Sequence, residues 1–282
     1  MRLRPNVVLV GFLFLFFLSL SGWAADFSII FAGTPRYCLL GDVNKGMTGY
    51  LGLWATLAEL SGGIVIEDNR SPMHFVMSYS VDFTLAFNSE YSFALGIGNI
   101  RVQSANELLI NYLDGRPDAS AKVETRIDAV PIKLSVIRSY PITRSLNAFI
   151  EGGFGIYIAR YRSSYWPAGP GDSHVQDAHA IGIGPFIGGG LEIKASRFLA
   201  LILKAEGDYA KIEAFKGTRN SGGSSLPYEV KGPLYYEEIT ISGVETVFPL
   251  LVIYEDRPQT PVRLARVDLS GFSLHAGMKI SF

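Results

Sequence analysis

Across residues 73–87 every odd position is apolar: Met73, Phe75, Met77, Tyr79, Val81, Phe83, Leu85 and Phe87. The even positions, His74, Val76, Ser78, Ser80, Asp82, Thr84 and Ala86, are mixed and mostly polar. Period two is the repeat of a strand, whose side chains point alternately to two faces. The run is about 15 residues long, whereas globular strands usually have about 5–6. An unbroken apolar face of that length suits a tilted strand that crosses a bilayer, with lipid on its outer side.

The alternation recurs. Tyr91, Phe93, Leu95 and Ile97 alternate with Ser92, Ala94, Gly96 and Gly98, and Val130, Ile132, Leu134 and Val136 with Pro131, Lys133 and Ser135. Leu146, Ala148, Ile150, Phe154, Ile156 and Ile158 oppose Asn147, Glu151, Gly153, Gly155 and Tyr157. Ile181, Ile183, Ile187, Leu191 and Ile193 oppose Gly182, Gly184, Gly188, Gly190 and Glu192. Leu199, Leu201, Leu203 and Ala205 oppose Ala200, Lys204 and Glu206. In the last run Phe272, Leu274, Ala276, Met278, Ile280 and Phe282 face one way, and Ser273, His275, Gly277, Lys279 and Ser281 the other. A weaker run over 27–40 contains Pro35. The pattern predicts eight strands at 27–40, 73–87, 91–103, 122–139, 146–163, 178–194, 198–214 and 265–282.

Short turns at 88–90, 141–145 and 195–197 alternate with long connections at 41–72, 106–121, 166–177 and 217–262. That is the layout of an outer-membrane barrel, short on the periplasmic side and long outside. A short helix is expected within 47–60. Segments 236–241 and 247–254 can form an extra hairpin, which either extends the sheet above the membrane or makes ten strands. A soluble sandwich would also alternate, but with shorter strands and apolar faces buried against each other. Only lipid asks nearly every strand to be apolar outside with all edges closed.

The N-terminus agrees. Arg2 and Arg4 precede an apolar run over 7–20, and Gly22 and Ala24 place small residues before a cut after position 24. This reads as a cleaved secretory leader, because the run, of about 14 residues, is shorter than the ~20 a spanning helix needs. The expected organisation is a leader, 1–24, and one barrel domain, 25–282. Charged residues are 18% and aromatics 12%, which excludes a disordered chain. A net charge of −1 gives no basic footprint for nucleic acid. One cysteine, Cys38, excludes a disulfide framework and a cysteine zinc site.

The final residues, Ser273-Leu274-His275-Ala276-Gly277-Met278-Lys279-Ile280-Ser281-Phe282, resemble the C-terminal signal of bacterial outer-membrane barrels. Leader, strand layout and terminus together resemble the small outer-membrane β-barrel superfamily, which includes the outer membrane protein A transmembrane domain and the opacity-protein-like barrels. The resemblance implies an all-β, eight-stranded antiparallel barrel in the outer membrane of a Gram-negative-type bacterium. It implies outer-membrane lipid, periplasmic chaperones and the barrel-assembly machinery as partners. Phe272, Leu274, Met278, Ile280 and Phe282 would form the assembly signal. The chain ends at the last strand, so a two-domain cell-wall tether is not expected.

With the apolar face toward lipid, the lumen receives His74, Asp82, Lys133, Glu151, Glu192, Lys204, Glu206, His275 and Lys279. The interior of an eight-stranded barrel is about wide enough for side chains alone. Unpaired charge there is costly, so pairs such as Lys133 or Lys279 with Glu151 or Glu192 are expected. The glycines over 182–190 leave room for bulky lumen groups or allow curvature. Tyr37, Tyr79, Tyr140, Tyr157, Tyr161, Tyr165 and Trp166 lie near strand ends and divide between lipid girdles and interior packing.

Other constellations are weak. Asp172, His174, Asp177 and His179 match no zinc spacing and read as a solvated loop. Asp42-Val43-Asn44-Lys45-Gly46 departs from a calcium loop and reads as a turn. Ser273 and His275 share a face, but it is the lumen face, so no nucleophile–base pair meets lipid. No catalytic residue, metal or cofactor is expected. The reading is a non-enzymatic envelope barrel with a largely plugged polar lumen and outer loops that bind an unknown ligand. The alternatives are a narrow passive pore and a lipid-modifying enzyme. Replacing Phe282 with Lys should impair assembly, read as loss of the heat-modifiable form in membranes; a normal heat-modifiable barrel would count against the terminal signal.

Overall fold

The computed structural model describes residues 26–168, 173–222, 228–259 and 262–282. The expected leader, 1–24, lies outside them. In chain order the elements are β1 (Asp26–Cys38), α1 (Asp42–Leu60), β2 (Gly63–Asn69), β3 (Phe75–Ala86), β4 (Tyr91–Tyr112), β5 (Ala119–Pro141), β6 (Leu146–Trp166), β7 (Ser173–Lys194) and β8 (Leu199–Asp208). They continue with β9 (Lys211–Ile212), β10 (Lys216–Gly222), β11 (Tyr228–Thr240), β12 (Val247–Ile253), β13 (Val262–Leu264), β14 (Val267–Asp268) and β15 (Gly271–Ser281).

Eight strands close a ring. β1, β3, β4, β5, β6 and β7 follow one another as antiparallel neighbours, β15 joins β1 to β8, and β8 pairs β7. Closure satisfies the backbone groups that a sheet edge would leave open, which is the condition for crossing hydrocarbon. The outward residues of the ring are apolar and most are uncovered: Phe154 is 66% exposed and Ile183 68%. Apolar surface so continuous belongs against lipid, not water. From Val130 to Tyr140 along β5, a rise of ~3.4 Å per residue and a tilt of ~40° give a belt of about 25 Å, the height of a membrane band. Ring and band form a transmembrane β-barrel.

Four strands continue far beyond the band. β4, β5, β6 and β7 have 22, 23, 21 and 22 residues. Above the band their polarity inverts. On β4 the outward side changes from Phe93 and Ile97 to Arg101, Gln103 and Glu107, while Ile100, Val102, Leu108 and Ile110 turn inward and are buried. On β5 Asp128, Arg126 and Glu124 face out, and Ile127, Val123 and Ala121 are buried inside. The pleat continues through a change of solvent, lipid below and water above.

The inversion corrects the expected loops. In segments 106–121 and 166–177 the strands run on through 106–112, 119–121, 166 and 173–177, because the alternation persists with its sign reversed. Among the described residues, segment 217–262 adds no strand to the ring. β10 takes the place of β8 beside the upper part of β7, and β11, β12 and β13 extend the sheet above the band. β2 takes the place of β3 beside upper β4. The expected strands 198–214 and 265–282 are each interrupted: β8 stops at Asp208 and β15 starts at Gly271, with β9 and β14 as a short pair beyond. Met73 belongs to neither face of the ring; it is buried in the upper core, where its backbone N–H donates to Asn44 Oδ1 at 2.9 Å.

The upper half-barrel is filled by α1, longer than the helix expected. The run Asp42-Val43-Asn44-Lys45-Gly46, expected as a turn, is its first turn. Val43, Met47 and Leu51 recur every four residues and are buried against Ile100, Ile110, Leu251 and their neighbours. Asp42 anchors the helix start. Its carboxylate accepts from Arg263 Nη1 and Nη2 at 2.5 and 2.6 Å and from the Arg266 backbone N–H at 2.9 Å. Gly62, at φ 81°, reverses the chain after the last turn. Gly46 and Gly49 let α1 lie directly on β12: a Cβ on Gly46 would meet Leu251, and one on Gly49 would overlap the Pro249 carbonyl oxygen. Gly49→Val should therefore weaken the upper core by about 1–3 kcal/mol. The expected readout is a lower urea midpoint for Trp54 fluorescence while heat-modifiable migration persists; an unchanged midpoint would remove Gly49 from the account of docking.

Candidate functional site

The lower lumen is built by alternate residues of the ring. β1 supplies Thr34 and Arg36, β3 Asp82, β5 Lys133 and Ser135, β6 Glu151 and Tyr157, β8 Lys204, Glu206 and Asp208, and β15 Ser273 and His275. They form a chain of alternating charge. Arg36 Nη1 lies 3.0 Å from Asp208 Oδ2. Asp208 Oδ1 accepts from Tyr157 at 2.8 Å and from Lys133 Nζ at 2.6 Å. Lys133 also donates to Glu206. Lys204 Nζ donates to Glu206 Oε2 and to Glu151 Oε2, both at 2.9 Å, and Ser135 Oγ donates to Glu151 Oε1 at 2.7 Å. From Arg36 to Glu151 each ion of this chain thus has an opposite charge within hydrogen-bond reach, the condition under which ions persist away from water, while Asp82 lines the lumen beside the chain.

Small residues make this meeting possible. The register sets Glu151 beside Gly188 and Gly188 beside Glu206, so the two acids approach Lys204 across a strand with no side chain at that point. Gly96 gives the same room to Asp82, whose carboxylate a Cβ would overlap. Two cavities of about 40 Å³ each flank Asp82, Glu151, Lys204 and His275. Each is of the order of a few water molecules. Toward the short turns they give way to a mouth of about 500 Å³, near Asn147, Glu192, Lys194 and Lys279. Toward α1 the lumen ends in an apolar core that includes Tyr161, Ile127, Phe215 and Met47.

The expected pairs are partly rearranged. Lys279 does meet Glu192, at 2.8 Å. Lys133 instead meets Glu206 and Asp208, and Glu151 takes Lys204, because β5 and β6 reach across the glycine-lined strand to β8. His74 stays outside the chain of charges; its Nδ1 lies 3.0 Å from the Cys38 carbonyl oxygen and its ring stacks on Tyr37. Arg36 and Asp208 were absent from the expected set. Arg36 sits beside Pro35 in the weakest run, and Asp208 lies after Gly207 where the apolar alternation fades. Following the inward frame Thr34-Arg36-Cys38 and Lys204-Glu206-Asp208 by position alone would have found both.

The remaining candidates fall as follows. Ser273 Oγ is 3.0 Å from His275 Nε2, and His275 Nδ1 is 3.0 Å from Thr34 Oγ1. Ser273 is fully buried in the lumen wall. His174, Asp177 and His179 lie on β7, not in a loop, because strand pairing continues through Ser173; Asp172 lies outside the described residues. Asp177 is committed to Arg160 and Arg162. Among the described residues no group of three His, Cys, Asp or Glu side chains is arranged to hold a metal. The aromatics divide: Tyr79 and Tyr140 face out, and Tyr157, Tyr161 and Tyr165 are buried. Phe272, Leu274 and Met278 are exposed on β15, and so is Phe282 just after it, whose N–H donates to the Phe27 carbonyl at 2.9 Å.

A second hollow opens in the head. About 340 Å³ lies between α1, β7, β10 and β12, walled by Tyr50, Trp54, Tyr165 and Tyr254 with Arg219 and Glu237. Gln176 closes its floor by treating β12 as a strand neighbour: Nε2 donates to the Leu251 carbonyl at 2.9 Å and Oε1 accepts from the Ile253 N–H at 3.1 Å. Tyr254 donates to Glu237 Oε2 at 2.5 Å. Burial, with that carboxylate beside it, pushes the Tyr254 hydroxyl well above the usual tyrosine range.

No known protein family matches the chain, and no curated protein resembles it in sequence. Among solved structures, the outer membrane protein OprG from Pseudomonas aeruginosa is similar, with 12% identity over 92% of this chain and 96% of that one and a TM-score of 0.43. The likeness is loose; the barrel stands on its own closed ring of hydrogen bonds.

The two acids at the ends of the lumen should differ in their effect. Glu151 and Lys204 side chains are each 8% exposed and Lys204 draws on two acids, whereas near the mouth Glu192 is 12% and its partner Lys279 23% exposed. Glu151→Ala leaves Lys204 with one partner and should lower unfolding stability by about 3 kcal/mol or more. Glu192→Ala should cost about 1 kcal/mol or less. Urea unfolding in lipid vesicles measures both; equal losses would contradict the ranking.

Proposed function

We propose that the chain is a non-enzymatic, integral outer-membrane barrel of a Gram-negative-type bacterium whose folded head, not its lumen, meets ligands. One observation carries the reading: the passage is filled twice, first by the charge chain from Arg36 to Glu151 and then by the apolar core around α1. Strand faces are committed to lipid and lumen, so binding belongs to the head, where the hollow beside Tyr50, Trp54 and Tyr254 supplies aromatic walls and polar ends. Export through a leader and insertion by the barrel-assembly machinery belong to the same reading, supported by the apolar run over 7–20 and the alternation from Phe272 to Phe282. The Ser273–His275 pair is enclosed within the wall, which speaks against lipid chemistry there.

A narrow pore is the second reading. It is favoured by the polar mouth of about 500 Å³ and the two small cavities in line with it. Conduction would require both the ion chain and the α1 core to part. Planar-bilayer recording of the purified protein, with heat-modifiable migration as the folding control, decides between the two. The folded protein is expected to be silent; discrete, reproducible current steps would overturn the closed-lumen reading.

A further inference from the structure

Just beyond the apolar band, the outer wall carries charge in register. Arg101 on β4 is level with Asp128 on β5, Asp128 with Arg160 on β6, Arg160 with His179 on β7, and His179 with Lys216 on β10. The next row out adds Arg126, Arg162 and Asp177. Two residues the other way, the row is Val130, Ile158 and Ile181, the last of the apolar band. Two strand residues are about 7 Å. The charged rows therefore begin in the layer that lipid headgroups occupy.

The patch is basic although the chain as a whole carries −1. Asp128 and Asp177 are each shared by two arginines. Asp128 accepts from Arg101 Nε and from Arg126 Nε, both at 2.7 Å, and Asp177 from Arg160 Nε at 2.7 Å and Arg162 Nε at 3.1 Å. A guanidinium has five N–H groups, so this sharing leaves donors over on every arginine. All four arginines remain open to solvent, from 37% for Arg126 to 54% for Arg101. A hollow of about 410 Å³ lies between Arg126 and Arg162, where Ala105 and Ser164 keep the wall low; Glu124 at its side is held by Lys122 at 2.7 Å.

We propose that this wall binds the phosphate groups of net-negative lipids in the leaflet around the head. Arg126 and Arg162 clamp a phosphate in the hollow, and Arg101, Arg160 and Lys216 supply flanking charge. The guanidinium fork matches phosphate oxygens in shape as well as in sign. The inference rests on the reading that the apolar band lies in a bilayer.

The test uses the full chain purified in detergent from an expressing membrane, mixed with equal amounts of phosphatidylcholine, phosphatidylglycerol and lipid A. Native mass spectrometry counts the lipids retained. Phosphatidylglycerol and lipid A are expected to be retained over phosphatidylcholine, and R126Q/R162Q to lower that retention by about tenfold or more. D128N/D177N, which frees the same arginines, is expected to raise it, a gain that misfolding would not produce. Equal retention of the three lipids, or unchanged retention by R126Q/R162Q, would overturn the proposal. Full displacement of lipid by excess inorganic phosphate would make the site one for the free ion and overturn the lipid assignment. Heat-modifiable migration and insertion into vesicles are scored separately. A well-inserted barrel that ignores lipid charge sinks this inference alone, and a chain that does not insert sinks the membrane reading with it.

Discussion

Everything in the lower half follows from closing a sheet on itself. Once β7 pairs β8, the hydrogen-bonding groups of the ring are satisfied within it, and each strand has only two faces left to assign. The outer face goes to Phe154, Ile183 and their apolar neighbours. Polar and charged side chains are then confined to a cylinder with little free volume. They must find each other there, and the order Arg36, Asp208, Lys133, Glu206, Lys204, Glu151 is one way for alternating charges to do so. The glycines of β7 belong to the same constraint. A side chain at Gly188 would stand in the space where Glu151 and Glu206 approach Lys204.

The same strands obey the opposite rule higher up, where water replaces lipid outside. Ile100, Val102 and Ile127 turn inward and need an apolar partner, and α1 is that partner. The half-barrel above the band is therefore an ordinary hydrophobic core, with a helix laid inside a curled sheet. Its glycines, Gly46 and Gly49, serve close approach of helix to strand, a different use from that of Gly188. The helix in turn depends on Asp42, whose two arginine contacts and one backbone contact tie its start to the segment that leads into β15.

How much of this was legible in the sequence depended on which solvent a segment meets. The eight ring strands were readable because lipid enforces a nearly pure period of two, as from Phe75 to Leu85 or from Phe272 to Ile280. The turns at 88–90 and 195–197 were equally plain. Above the band the period survives but the apolar set moves to the other face, so Asn106-Glu107-Leu108, which continues β4 past the expected strand end at 103, looks like the start of a loop. The lumen residues on long clean runs, Glu151 and Lys204, were found by parity alone. Their partners were not, because pairing depends on which strands face each other across the ring, and parity holds no information on that. Arg36 shows the limit: Pro35 beside it weakens the strand signal, yet the pleat continues through both.

Two fillings of one passage need a joint between them, since an apolar core set directly on a row of ions would leave charges without partners. Tyr157 is such a joint. Its side chain is fully buried within the core that holds Tyr161 and Ile212, while its hydroxyl donates to Asp208 at 2.8 Å. Arg36 performs the converse task from the ion side. Its guanidinium meets Asp208, the Leu269 carbonyl at 2.8 Å and Cys38 Sγ at 3.3 Å, so the end of the charge chain is finished by backbone and a soft sulfur before the apolar core begins. Gly155 belongs here too, because a Cβ at that position would press to 2.9 Å on the Tyr157 ring. The boundary between the two solvents outside the barrel is thus matched inside by a boundary between ions and hydrocarbon side chains. A small set of amphipathic residues spans that inner boundary, where a purely polar or purely apolar side chain would leave one neighbour unsatisfied.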